Sequence, residues 1–321
     1  MPAPFFDSTA LKAQAATLGF FQCGVAKAER MEEEARRLED WLNQGKQGQM
    51  AYMANHFDLR IDPTQLVPGA RTVISLAFNY HNPDKPADPE APKISQYAYG
   101  EDYHHVLRKR LKSLLAWIRD TYGPVEGRVF VDSAPVLERD WARRSGVGWV
   151  GKHTLLIHPK AGSYFFLAEL IIDLAFAPDP PIRDHCGTCR RCIDACPTDA
   201  ISPAGYSLDA SKCISYLTIE LRDAIPGVFQ GKMEGWMFGC DICQEVCPWN
   251  RFASRHNEPA FDPHPDLLHM SASAWEECTD EVFNHLFSRS PVRRTGLTGL
   301  RRNIRFLQSG AGVDKDTGGA K

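Results

Sequence analysis

Eight of the ten cysteines in this chain fall between Cys186 and Cys247. Crowding of that kind reads as metal ligation, because disulfides need an oxidising compartment that this sequence does not announce. Its N-terminus, MPAPFFDSTALKAQ, has no basic stretch leading into an apolar one, so no signal peptide is expected and the setting is cytoplasmic. The longest apolar stretch, Tyr164 to Pro178, is broken by Glu169 and Asp173. It falls short of the roughly 20 apolar residues of a membrane span, so no membrane association is expected. With 321 residues the chain has room for about two domains. Apolar residues at 43% and charged residues at 24% exclude disorder over the whole chain, and a net charge of −3 excludes a global basic field for nucleic acid.

The first cysteine run is Cys186-x2-Cys189-x2-Cys192-x3-Cys196-Pro197. This is the bacterial two-cluster ferredoxin pattern, in which three cysteines bind one [4Fe–4S] cubane and the fourth reaches the other. Two-residue gaps let a turn wrap three corners of a cluster, and Pro197 stops the departing segment from folding back. The second run, Cys240-x2-Cys243-x3-Cys247-Pro248, lacks its opening cysteine, which Cys213 supplies across an insertion. Cross-ligation then gives one cluster Cys186, Cys189, Cys192 and Cys247, and the other Cys196, Cys213, Cys240 and Cys243. Two structural zinc sites would also accept eight thiolates. Zinc ribbons pair two CxxC knuckles, however, and CxxCxxC followed by CP suits a cubane better. Cys23 and Cys278 stand alone in apolar or helical contexts and read as buried free thiols. With every thiolate used, no iron is left open for bond chemistry, so the N-terminal part must hold whatever receives the electrons.

Periodicity before the cysteines predicts helices over 7–18 (capped by Asp7 or Ser8), 31–44 and 105–123, the last ended by Gly123. Strands are predicted over 20–26, 70–80, 127–132 and 163–174. Such alternation implies an α/β or α+β domain. At 177–185, APDPPIRDH, the composition turns to proline and charge, which sets a boundary. The expected domains are 1–176, a cysteine-rich 177–255, and a short helical, Arg-rich 256–321 whose last dozen residues, GAGVDKDTGGAK, read as disordered.

Several features stay open at this level. GVGWVG (146–151) matches G-x-G-x-x-G, yet a helix-like segment precedes it and a strand-like one follows, the reverse of the dinucleotide order. His153 occupies the position where a P-loop needs Ser or Thr. A glycine-rich loop that lets backbone approach a flat ligand is the better reading. Asp132, at the end of GRVFVD, is equally an acid–base group at a strand's mouth or the N-cap of the next helix. Tyr97, Asp102, Tyr103, His104 and His105 are ligand contacts or a helix start, and the adjacent histidines point too far apart for a metal pair. Arg289, Arg293, Arg294, Arg301, Arg302 and Arg305 lie in a stretch free of acids, either a phosphate-binding surface or a solvated helix face.

Taken together, DLRIDPTQLVPGARTVIS (58–75), YAYGEDYHHVLRKRL (97–111), VDSAPVLERDWARRSGVGWVGKHTLLI (131–157), the two cysteine runs, LDASKCISYLTIE (208–220) and SPVRRTGLTGLRRN (290–303) resemble the epoxyqueuosine reductases. These enzymes are related to reductive dehalogenases. The resemblance implies an α+β protein: a nitroreductase-like α/β cobalamin-binding domain, a two-[4Fe–4S] ferredoxin domain and a short helical C-terminal region. It departs at the C-terminus, where bacterial relatives often continue into a helical, HEAT-like region, so the tRNA contact is expected to be incomplete.

The implied reaction removes the epoxide oxygen from epoxyqueuosine in the tRNA wobble position with two electrons and two protons. Asp132 is implied as proton donor, its partly buried carboxyl keeping its proton near neutrality. Cobalamin, in the family's mode without a protein imidazole on cobalt, is implied to meet Arg60, Tyr97, Asp102, His104, Asp132, Arg139, Gly151, Lys152, Ser211, Ser215 and Asp241. Arg293, Arg294, Arg301, Arg302 and Arg305 are implied to meet tRNA, a flavodoxin- or ferredoxin-type protein to supply electrons, and the protein to be a monomer. The competing readings are a dehalogenase-like enzyme acting on a small molecule and a plain two-cluster electron carrier. The arginine-rich segment and missing export signal argue against the first, and the large N-terminal domain against the second.

Overall fold

The structure, a computed structural model, describes residues 5–310; residues 311–321, most of the tail expected to be disordered, lie outside the described residues. The described strands are β1 (Gln22–Lys27), β2 (Thr72–Asn79), β3 (Lys93–Ile94), β4 (Gly127–Phe130), β5 (Trp149–Val150), β6 (Leu156–Ile157), β7 (Phe165–Ile172) and β8 (Trp236–Phe238). The main sheet runs β1-β2-β7-β4 with every neighbouring pair antiparallel, which decides for α+β.

Side chains alternate across this sheet with a period of two. Phe166, Ala168, Leu170 and Ile172 of β7 join the core beneath the helices Thr9–Thr17 and Tyr103–Tyr122. Phe165 and Ile171 point the other way, to cores containing Ala142 and Trp141 of the helix Glu138–Arg144. Cover on both faces is why β7 reads as a nearly unbroken apolar run. The exception, Glu169, shares the second face.

The helix Tyr103–Tyr122 buries Leu107, Leu111, Leu114, Leu115 and Ile118, a stripe at three- and four-residue spacing. Each buried leucine contributes roughly 1.5–3 kcal/mol. Asp102 caps its start by accepting the His104 N–H, and Gly123, at φ 94°, ends it. At Thr9–Thr17 Ser8 holds the cap position, while Asp7 Oδ1 accepts the Thr9 N–H at 2.7 Å. The helix Glu32–Asn43 is tied to Glu138–Arg144 by the buried Glu34, which Arg143 and Arg144 approach to 2.7 and 2.8 Å.

Residues 177–185 carry no helix or strand. The segments on either side are nonetheless stitched together. β3 pairs in parallel with β8, Trp41 Nε1 donates to the Leu208 carbonyl at 2.7 Å, and the Gln49 N–H to the Tyr216 hydroxyl at 2.7 Å. The C-terminal helices bury Phe283, Phe287, Leu300 and Ile304 against Ile94, Tyr99, Met237 and Phe238.

GVGWVG enters the β5–β6 hairpin after a helix, as its flanks indicated. A Cβ on Gly148 would lie 2.3 Å from the Ile157 carbonyl oxygen. On Gly146, at φ 71°, it would lie 2.5 Å from that of Pro180. The close approach these glycines permit is therefore to the protein itself, which corrects the expected approach to a ligand.

Candidate active site between the sheet and the cysteine lobe

A cavity of about 460 Å³ separates the main sheet from the cysteine-rich lobe. Its sheet wall carries Tyr97, Tyr103, Phe165 and Phe166, with Asp132, Glu138 and Arg139 at one side. The facing wall carries Ser215, Asp241 and four cysteines: Cys196, Cys213, Cys240 and Cys243. The other four, Cys186, Cys189, Cys192 and Cys247, line a separate pocket of about 20 Å³ beside Trp249. All eight thiols are free, and the Ala200 N–H donates to Cys196 Sγ at 3.3 Å. Cys23 and Cys278 are buried elsewhere, and burial pushes the Cys23 thiol up to about 12.

Asp132 follows β4 with φ 55°, in the left-handed region, at a cost of roughly 1–2 kcal/mol. It caps nothing, since Leu137 holds the cap position of Glu138–Arg144. Its own N–H donates to Glu138 Oε1 at 2.5 Å. Its Oδ2 lies 3.2 Å from His104 Nε2, and His104 Nδ1 lies 2.6 Å from Asp102 Oδ1. Asp102 is thus both a helix cap and the far end of an Asp–His–Asp chain. Burial works against charge on both His104 and Asp132, but the mutual hydrogen bonds and opposite charges outweigh it. His104 is pushed up to about 9, and the Asp132 carboxyl sits below its ordinary range, helped by Tyr103 and Arg294. The expectation that Asp132 keeps its own proton near neutrality is therefore corrected: contact with His104 holds the Asp132 carboxyl below its ordinary range and the His104 ring above its own.

Of the other residues expected around a cofactor, Tyr97, Arg139, Ser215 and Asp241 line the cavity. Arg139 also donates to the Thr154 carbonyl at 2.6 Å. Asp241 is buried, accepts from Ser95 Oγ at 2.5 Å and the Gln96 N–H at 2.9 Å, and is pushed up by burial to about 6. Arg60, Gly151, Lys152 and Ser211 are not among the lining residues. Arg60 donates to the Tyr52 carbonyl at 2.9 Å and Ser211 to Asp209 at 2.6 Å. Lys152 donates to the carbonyls of Gly187 and Cys189, at 2.6 and 2.9 Å, and so braces the first cysteine loop.

Two further lining residues carry no local signal of a role in the sequence, Glu138 and His153. His153 lines the cavity; its Nε2 is buried with no partner, and burial lowers it to about 4, leaving a neutral ring.

The basic stretch divides. Arg293, Arg294 and Arg305 are exposed, Arg294 pairing with Glu220 at 2.8 Å. Arg301 instead donates to the Cys278 carbonyl at 2.8 Å. Arg302 donates to the carbonyls of Leu217, Leu221 and Asp223. Arg301 and Arg302 therefore leave the proposed tRNA set, because their donors are spent on main-chain oxygens.

The family model described as epoxyqueuosine reductase QueG, DUF1730, matches residues 60–133, and a 4Fe-4S double cluster binding domain matches 185–250. Epoxyqueuosine reductases of Cellulophaga algicola and Leadbetterella byssophila are 56% and 57% identical to the chain. Each alignment covers 94% of this chain and 98% of the relative. A crystal structure of epoxyqueuosine reductase with an epoxyqueuosine-modified tRNA-Tyr stem loop superposes with TM-score 0.86 at 28% identity, covering 94% of this chain and 80% of that one. The Bacillus subtilis enzyme, with its catalytic aspartate loop swung out of the active site, gives 0.84 at 27% identity over the same shares. The chain belongs to the epoxyqueuosine reductase family of oxidoreductases.

Proposed function

We propose that the chain converts epoxyqueuosine in tRNA to queuosine, the last step of that nucleoside's biosynthesis, using cobalamin in the cavity and two [4Fe–4S] clusters on the cysteines. The observation that carries this reading is one cavity with Asp132 on one wall and four cysteines on the other. The two sets of four cysteines are the two ligand sets of the cross-ligated pattern. The cavity also suits a broad, flat cofactor with polar edges. Aromatic rings form one wall, Ser215 and Arg139 offer donors, and the unpartnered His153 Nε2 gives a buried polar contact. Tyr97, Arg139, Ser215 and Asp241 would hold it.

When bound, the clusters supply electrons singly and cobalamin brings them to the epoxide. The chain's own part is the proton. Both C–O bonds of the epoxide break and a carbon–carbon double bond forms, while two electrons and two protons enter and water leaves. An alkoxide leaves poorly, so its oxygen must be protonated as the ring opens. Asp132 faces the cavity and delivers that proton, drawing on the store that Asp102 stabilises at His104. Arg293, Arg294 and Arg305 offer exposed charge for tRNA phosphates. A flavodoxin- or ferredoxin-type protein supplies the electrons to a monomeric enzyme in the cytosol.

Anaerobically reconstituted protein, incubated with epoxyqueuosine-tRNA and a low-potential reductant, tests the reading by nucleoside mass spectrometry. Loss of one oxygen only with cobalamin present is expected. No loss with both clusters intact would overturn the reading.

A further inference from the structure

Two acids beside Asp132 have no part in the chemistry above. Glu169 lies in the middle of β7, opposite Ser75 of β2 and Phe130 of β4, with 0% exposure. Among the described residues no donor reaches either of its carboxyl oxygens, and the buried Ser75 hydroxyl is unpartnered as well. What Glu169 meets is the carboxyl of Glu138, within hydrogen-bonding reach. Glu138 opens the helix Glu138–Arg144, and its Oε1 accepts the Asp132 N–H at 2.5 Å.

Two ionised carboxylates in contact are not sustained where one of them, Glu169, is fully buried, whereas a carboxyl and a carboxylate sharing one proton satisfy each other without an outside donor. Burial and the Asp132 charge push Glu138 up to about 7; burial and the Glu138 charge push Glu169 well above its ordinary range.

We propose that Glu138, joined to Glu169 through a shared proton, is a positioning residue that latches Asp132 in its left-handed, cavity-facing conformation. The inference rests on the proposed role of Asp132. A non-glycine residue at φ 55° needs a hold, and a swung-out loop in the Bacillus subtilis relative indicates that such a loop has another place to go. The remaining holds are His104 on the Asp132 side chain and Arg108, whose Nη2 donates to Ser133 Oγ at 2.6 Å. The charged and titratable groups facing the pair are Asp132 from the β4 loop, His104 and Tyr103 from the helix Tyr103–Tyr122, and Arg294 beyond Asp132. Arg139 and Asp140 follow on Glu138's own helix. Loss of the shared proton places two like charges beside Asp132, and the latch opens.

The test is amide hydrogen exchange at Asp132 and Ser133 in the cluster- and cobalamin-loaded chain, across neutral to alkaline pH, with kcat measured in parallel. In the wild type, passing about pH 7 takes the pair from two protons to the single shared one and should leave protection in place. Exchange should accelerate roughly tenfold beyond the intrinsic base-catalysed rise only at higher pH, where Glu169 gives up the shared proton, and kcat should fall with it. Glu169→Gln donates an N–H to Glu138 at every pH, so it should abolish the exchange step and its share of the fall in kcat. Glu138→Gln keeps an oxygen for the Asp132 N–H and should retain protection, whereas Glu138→Ala should lose it at all pH values. Unchanged steps in Glu169→Gln, or a protected Asp132 amide in Glu138→Ala, would overturn the latch. If Glu138→Ala does not fold, the two glutamine variants decide. Exchange is read without turnover, so failure to deoxygenate tRNA would sink the proposed function and leave the latch to be judged by its own data.

Discussion

His104 Nε2 lies 3.2 Å from Asp132 Oδ2, across the gap between a helix start and a strand end that are 28 residues apart in the chain. The other ring nitrogen is 2.6 Å from Asp102, so the imidazole is held at both ends. A histidine so placed keeps its proton at pH values where a free one has lost it.

Replacing this histidine tests the arrangement first. His104→Asn should lower turnover by about 10²-fold or more, the usual contribution of a proton-transfer group. The proton is present below about 9 and lost above it, so the Glu169→Gln background should show a single alkaline limb near 9 in kcat/KM. That limb should vanish when His104→Asn is added.

Asp102→Asn separates charge from capping. Asparagine still accepts the His104 N–H, so helix stability should change by less than about 1 kcal/mol. Without the carboxylate, the titration of His104 should move down from about 9 toward its ordinary 6.5, carrying the alkaline limb with it. NMR titration of the labelled ring reads the shift directly.

Asp132→Asn should abolish delivery of the proton while sparing the metal centres. Turnover should fall by roughly 10²–10⁴-fold, with iron content and visible absorbance at wild-type values. Wild-type turnover in the fully loaded variant would exclude Asp132 as the acid.

The partition of cysteines predicts two complementary losses. Cys247→Ser should weaken the cluster of the small pocket, and Cys213→Ser that of the cavity wall. Each variant should retain about half the iron and sulfide of the wild type. Low-temperature electron paramagnetic resonance of the reduced proteins should show a different remaining signal in each.

Two arginines of the same basic stretch should behave differently. Arg302→Ala strands carbonyls of Leu217, Leu221 and Asp223 and should cost about 1–3 kcal/mol of stability, read as a lower Tm. Arg293→Ala should leave Tm in place and reduce the slope of log affinity for tRNA against log salt by about 1.

How far the sequence carried the reading depends on the range of each interaction. The cysteine groups follow from spacing, because ligands of one metal centre are close in the chain or supplied by the one cysteine that lies between the two runs, Cys213. β2, β7 and the helix Tyr103–Tyr122 follow from period and from Gly123, which are local. The chain Asp102–His104–Asp132 does not: its members were each singled out, but only tertiary packing sets their order and moves the titrations of His104 and Asp132 apart. Glu169 carried the one available signal for the acid pair, a lone charge inside an apolar strand, and counted only as an interruption. Nothing local distinguishes Arg301 and Arg302 from Arg293, since whether a guanidinium turns inward depends on carbonyls remote in the chain, 23 residues away for Arg301 and 81 and 85 for Arg302.

The seam between residues 41–49, 93–96 and the cysteine lobe bears on how the molecule comes into being. A Cβ on Gly48 would sit within 2.6 Å of the Tyr216 ring, and Ser95 and Gln96 both hang on Asp241, which sits between two cysteines. These early segments wait for partners that the ribosome delivers more than a hundred residues later. Those partners gain their shape from inorganic clusters, so metal loading and completion of the first hundred residues become one event. Without clusters, segments 41–49 and 93–96 should lose what they dock against and become early sites of proteolysis.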